Sequence, residues 1–171
     1  MCSRQPPAFF SHDVQLDNAR CGAFVTIRSQ GQLRGCIGRF VGDQPLPQLI
    51  AAVAASAATQ DPRFTNSRIT PAELCDCHVE ISVLSALERI ADPLDFQIGV
   101  HGIYIRYGHH TGCFLPHVGS EAGWTPEQML AECCTRKANL KADAWRNNDI
   151  EVFRFTADKF EEPLLVEKRQ P

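Results

Sequence analysis

At 171 residues, with 44% hydrophobic and 22% charged content, the chain is made up like a soluble globular protein. It is long enough to bury a real core as one domain, or as one domain built from two lobes. A formal charge of -3 and a pI near 6.0 give no overall attraction to nucleic acid or to an anionic membrane. No apolar run approaches the roughly 20 residues a membrane span needs. The opening "MCSRQPPAFFSHDVQ" lacks the hydrophobic stretch of a secretory signal. The expectation is a cytoplasmic protein whose eight cysteines stay reduced.

Residues 1–21 carry Pro6 and Pro7 and no sustained period, and read as an irregular segment. "AFVTIRSQGQLRGCIGRF" reads as two strands around the turn Ser29–Gln32. With Ala23, Val25 and Ile27 facing a core, the returning strand sets Leu33, Gly35 and Ile37 against them, and Arg34 and Cys36 share the other face. "PLPQLIAAVAASAATQ" is a helix, because Leu46, Leu49, Ile50, Val53, Ala54 and Ala57 form one stripe and the alanines permit close packing on a sheet. "DPRF" ends it. "TPAE" at Thr70–Glu73 is a capping box with proline at the first helical position, and it opens a single turn before a strand over Cys75–Leu84.

"GVHGIYIRYGHHTGCFLPHV" is a second glycine-punctuated hairpin, with strands near 102–107 and 112–115. "TPEQ" caps a helix to about Ala138, and "DIEVFRFTADKF" is a last strand with Val152 and Arg154 opposite Phe153 and Phe155. Hairpins interleaved with helices predict an α+β fold with a mostly antiparallel sheet.

The cysteines do not spell a metal site. On a regular strand Cys77 and His78 point to opposite faces, Cys133 and Cys134 fit the apolar side of a helix, and there is no C-x-x-C pair. "GQLRGCIG" lacks the Lys-Ser/Thr of a P-loop and the spacing of a dinucleotide fingerprint. There is neither an H-E-x-x-H helix nor an iron–sulfur cysteine set. The expectation is no metal and no tightly bound cofactor.

The stretch "LRGCIGR" is the candidate site. A thiol attacks as its thiolate, and Arg34, two residues from Cys36, is a permanent cation able to stabilise it. Gly35 and Gly38 clear space for a ligand or a second backbone, and Arg39 can hold an anion bidentately. The plainer alternative is that the glycines mark a bulge or tight packing and Cys36 fills a small gap. For a nucleophilic Cys36 the base would be His101, flanked by Gly99 and Gly102. His101 can equally hydrogen-bond a turn, and His117 after "FLP" is a further candidate. Asp61 and Arg63 of "DPRF" would orient a ligand or pair with each other. "TRK" at 135–137 is a helix C-terminus, where cations are favoured in any case.

Several of these stretches together resemble one known family. "GAFVTI" at 22–27, "LRGCIG" at 33–38, "DPRF" at 61–64, "EISVLS" at 80–85, "GVHGI" at 99–103, "FLP" at 114–116, "GW" at 123–124, "RKA" at 136–138 and "AWR" at 144–146 are similar, in this order, to the AMMECR family, called AmmeMemoRadiSam system protein A in prokaryotes. The resemblance covers about residues 22–160 and suggests an AMMECR-like domain over 22–162 with a tail at 163–171. It implies an α+β fold in two unequal lobes with "LRGCIG" near the cleft between them, and action beside Memo-like and radical-SAM proteins. The family's biochemical activity is not established, so it supplies no reaction.

Two departures stand out. Relatives usually carry an amphipathic helix before "GAFVT", and many have glutamine where this chain has His117. Without that helix, exposed apolar surface would favour a homodimer. Two functions are carried forward. One is a ligand- or partner-binding protein, its ligand a small molecule or peptide held by Arg34, Gly35, Gly38, Asp61, Arg63 and His117. The other is an enzyme with Cys36 as nucleophile and His101 as general base. Nucleic-acid binding is disfavoured by the acidic balance and by only two tryptophans and two tyrosines.

Overall fold

Alternating apolar residues are spent on two four-stranded sheets, each covered by helix, in a computed structural model that describes residues 21–161. The first sheet contains β1 (Cys21–Ser29), β2 (Gln32–Val41), β3 (Cys77–Leu84) and β8 (Ala157–Glu161), in the order β2-β1-β3-β8. The second contains β4 (Glu88–Ile90), β5 (Gly102–Tyr107), β6 (His110–Phe114) and β7 (Glu151–Phe155), in the order β4-β7-β5-β6. The β1–β2, β1–β3, β4–β7, β5–β6 and β5–β7 pairings are all antiparallel. The fold is α+β, as expected. The chain divides into two compact units, Met1–Val83 with Lys159–Pro171, and Leu84–Asp158. The first helix expected of relatives falls outside the described residues.

In the first unit, α1 (Leu46–Thr59) lays Leu46, Leu49, Val53 and Ala57 on Ala23, Val25 and Ile27, the two stripes the periodicity assigns to the core. Gln30 and Gly31 both have positive φ, the two-residue hairpin turn that matches strand twist. Val25 faces Ile37, Thr26 faces Cys36 and Ile27 faces Gly35, but then the register shifts and Arg28 faces Leu33. Arg34 is therefore the extra residue of a β-bulge, and Leu33 falls out of the expected pairing. A Cβ at Gly35 would run into the Ala57 carbonyl oxygen, so glycine here is what lets strand and helix meet.

The capping box holds: Glu73 accepts from the Thr70 backbone N–H at 2.9 Å. It drives a longer 3-10 turn than expected, Pro71–Asp76, so the following strand starts at Cys77 and Cys75 lies in the turn. Cys75 is disulfide-bonded, against the expectation of reduced cysteines, whereas Cys21, Cys36, Cys133 and Cys134 are not.

In the second unit, α3 (Pro126–Arg136) buries Met129, Leu130, Cys133 and Cys134, as its spacing predicts. A short helix α2 (Pro116–Glu121) follows β6. Gly112 admits the end of α3, since a Cβ there would meet Lys137 Cβ at 2.8 Å and the Ala138 nitrogen at 3.0 Å. The "last strand" is two strands: β7 belongs to the second sheet and β8 to the first, and the chain changes sheet at Thr156. Val152 and Phe155 are its buried residues, on opposite faces as the alternation expects. The two ends of the unit are tied together, because Ser85 N–H donates to the Thr156 carbonyl at 3.0 Å and Thr156 N–H to Ser85 Oγ at 2.9 Å. No helix among the described residues is long and apolar enough to cross a membrane.

Candidate functional site

Cys36 sits on β2, an edge strand of its sheet among the described residues, and an edge residue presents bare backbone groups. Here side chains take them. Cys36 N–H donates to Asp61 Oδ2 at 2.9 Å, and Arg63 Nη2 donates to the Cys36 carbonyl at 3.0 Å. Asp61 and Arg63 thus stand in for the next strand. They are placed by the 3-10 turn Pro62–Phe64, whose N-cap is Asp61 and whose first residue is proline.

The pair is also closed on itself. Asp61 Oδ1 accepts from Arg63 N at 3.1 Å and Nε at 3.0 Å, and Oδ2 accepts from Nη2 at 2.7 Å. The Asp61 side chain is 1% exposed and that of Arg63 52%. The Arg63 guanidinium, with help from the Cys36 N–H and against the cost of burial, holds the Asp61 carboxyl down at about 2. Asp61 raises the Arg63 pKa in turn, and the Cys36 side chain adds to the effect.

The Cys36 thiol accepts a hydrogen bond from Thr26 Oγ1 at 3.3 Å, across the β1–β2 pairing. The Arg34 guanidinium is held elsewhere. The bulge sends the Arg34 guanidinium to Glu73 Oε1 and the Ser67 carbonyl, both at 2.9 Å, and its side chain is 17% exposed. The Thr70 N–H and then Arg34 bring the Glu73 carboxyl to about 2. The Arg34 Nε is buried and has no hydrogen-bond partner among the described residues. Arg39 pairs with Asp43, four residues along the chain, at 3.0 Å.

The structure therefore brings Cys36, Asp61 and Arg63 together, with Arg34 beside them on its own anchor. Gly35 faces Ala57, and the space a Cβ at Gly38 would need is filled by the Phe24 ring and the Ala23 carbonyl. The room opened by both glycines is taken by this chain's own atoms. Sequence reasoning missed Thr26, Ser67 and the pairing role of Glu73. Thr26 lies directly across from Cys36 once the register is drawn, so that signal was available. Ser67 acts through its backbone carbonyl, which no residue type announces.

His101 and His117 belong to the second unit. His101 Nδ1 accepts the Gln97 N–H at 3.1 Å and its own N–H donates to the Gln97 carbonyl at 2.9 Å, a closed turn. His101 Nδ1 is thereby engaged within its own turn. His117 lies in α2, where its carbonyl accepts from Ser120 Oγ at 2.9 Å. In α3, burial pushes the Cys133 and Cys134 thiols up. No group of three or more His, Cys, Asp or Glu among the described residues has the arrangement to hold a metal ion.

Comparison with known proteins follows the same motifs. A protein of Methanothermobacter thermautotrophicus is 40% identical over 149 residues, covering 84% of this chain and 76% of that protein. One from Thermococcus onnurineus is 39% identical over 164 residues, covering 89% and 78%. The crystal structure of the uncharacterized protein PH0010 from Pyrococcus horikoshii is similar in fold, with a TM-score of 0.81 and 34% identity, over 94% of this chain and 81% of that one. The AMMECR1 family model matches residues 2–160, and the chain belongs to the AMMECR1 family.

Proposed function

We propose that this chain is a binding component acting with Memo-like and radical-SAM proteins in a modification pathway, and that the "LRGCIG" edge recognises a small molecule, a peptide or a partner. The observation that carries this reading is the saturation of Asp61. Its carboxylate takes hydrogen bonds from Cys36 N–H and from three Arg63 nitrogens and is held at about 2, which makes it a poor base for the adjacent thiol. The clasp fixes the backbone of Cys36 and leaves half of Arg63 facing solvent. A preorganised cation beside a rigid strand edge is suited to recognition.

A second reading has its own support. Thr26 donates to Cys36 Sγ, and the Arg63 guanidinium lies close to the thiol. Under that reading Cys36 is a nucleophile and His101, or a group supplied by substrate, completes the chemistry.

Alkylation of each cysteine against pH, followed by peptide mass spectrometry on the native chain, separates the two. Cys133 and Cys134 are slow internal controls, since both are fully buried. The binding reading expects Cys36 to react no faster than a free thiol. It also expects Cys36→Ser to retain partner capture that Arg63→Glu abolishes. Fast alkylation of Cys36 well below pH 8, with capture unaffected by Arg63→Glu, overturns it.

A further inference from the structure

We infer that the second unit holds a separate binding site for a small ligand carrying a phosphate or carboxylate, in a cavity of about 660 Å³ bounded by β4, β7 and the turn around Trp145. This site is independent of the "LRGCIG" edge.

Charge gives the sign of the ligand. The residues lining the cavity include Arg89 and Arg146 and no acid, in a chain whose formal charge is -3. Neither guanidinium is held by a short ion pair among the described residues. The Arg146 guanidinium lies 4.8 Å over the Trp145 ring, and no ion pair or side-chain hydrogen bond engages it among the described residues. Glu127 feels its charge without forming an ion pair. Arg89 Nε is 3.7 Å from Glu151, but that carboxylate takes its short contact, 2.6 Å, from Arg106, and the Arg89 side chain is 64% exposed.

Shape and rigidity point the same way. Trp145, Ile90 and Val152 are buried members of the core and give the cavity an apolar wall. The 3-10 turn Ala144–Arg146 is stitched by Asn147 N–H to Ala144 at 2.9 Å, so Arg146 and the neighbouring Asn148 amide are presented from fixed backbone. A volume of about 660 Å³ suits a small organic molecule. Guanidinium forks bind carboxylate and phosphate in two-point contacts, and the apolar wall accommodates a ring or short chain. The class is an organic oxyanion with an apolar body.

The test is calorimetric titration of the full chain at low salt with phenyl phosphate, benzoate and inorganic phosphate. The expected result is saturable binding of phenyl phosphate or benzoate, tighter than inorganic phosphate and weakened by salt. The stronger of the two aryl probes tells a phosphate ligand from a carboxylate one. Arg89→Gln with Arg146→Gln should weaken binding about tenfold or more while leaving the unfolding midpoint in place. If that double variant loses stability, Arg146→Lys, which keeps the charge and loses the fork, replaces it and should bind measurably more weakly. Absence of saturable binding by all three probes, or affinity unchanged in these variants, overturns the inference.

Discussion

Two pairs of arginines, one pair in each unit, are used in opposite ways. Around β2, Arg34 and Arg63 are committed to Glu73, Ser67, Asp61 and the Cys36 carbonyl. Around the Trp145 turn, Arg89 and Arg146 keep most of their hydrogen-bonding capacity. The first arrangement sustains structure, and removing a member strands its partner. The second contributes little to stability and is free to meet a ligand. The contrast shows that an arginine beside a reactive-looking residue is not thereby a ligand-binding arginine; what its fork already holds decides.

Substitution can break this contrast, beginning at the scaffold. Gly35→Ala sets a methyl group against the Ala57 carbonyl and must push α1 off the sheet. A loss of about 3 kcal/mol or more in denaturant unfolding is expected, and a neutral result would remove the packing account of this glycine. Asp61→Ala leaves the Cys36 N–H and the Arg63 backbone N–H without acceptors, for about 2–3 kcal/mol. If the loss is below about 0.5 kcal/mol, within the range of ordinary surface substitutions, the edge clasp is decorative.

Acid titration tests the same clasp more gently. The folded Asp61 pKa lies below its unfolded value, so its contribution is complete above about pH 4 and lost as pH falls toward about 2. About 2 kcal/mol should disappear across that window in the parent chain and not in Asp61→Asn. Cys36→Ser should cost about 1 kcal/mol or less, since serine can keep the Thr26 contact and the backbone clasp is untouched. Arg89→Gln and Arg146→Gln should stay within about 0.5 kcal/mol of the parent. A larger loss there would mean that Arg89 and Arg146 are committed to structure as Arg34 and Arg63 are.

Much of the fold was legible because its signals are local. The α1 stripe, the two hairpins and both capping boxes depend on residues a few positions apart. The bulge at Arg34 was not legible, because register is decided by the partner strand, and it overturned the placement of that guanidinium beside Cys36. Alternation runs on through Thr156, so nothing in "DIEVFRFTADKF" marks the change of sheet. The three-residue β4 exists only through its pairing with β7. Asp61 and Arg63 were legible as a pair, but not that they seal a strand edge. The Trp145 cavity gave only "AWR", a resemblance without a chemical rationale until Arg89 came alongside.

The tie between Ser85 and Thr156 bears on how the chain reaches this fold. β3 ends where the second unit begins, and β8 starts where it ends, yet the two strands are neighbours in the first sheet. During synthesis, every strand of the second sheet is available before β8 exists. Closing the β3–β8 pair across an unfolded intervening chain carries the entropy penalty of a long loop. Once the second unit has folded, its hydrogen-bonded ends deliver the two strands side by side, and the long closure becomes a local one. The inner unit thus acts as a template for the outer, and pulse-labelled amide exchange should find β5 and β7 protected before β8.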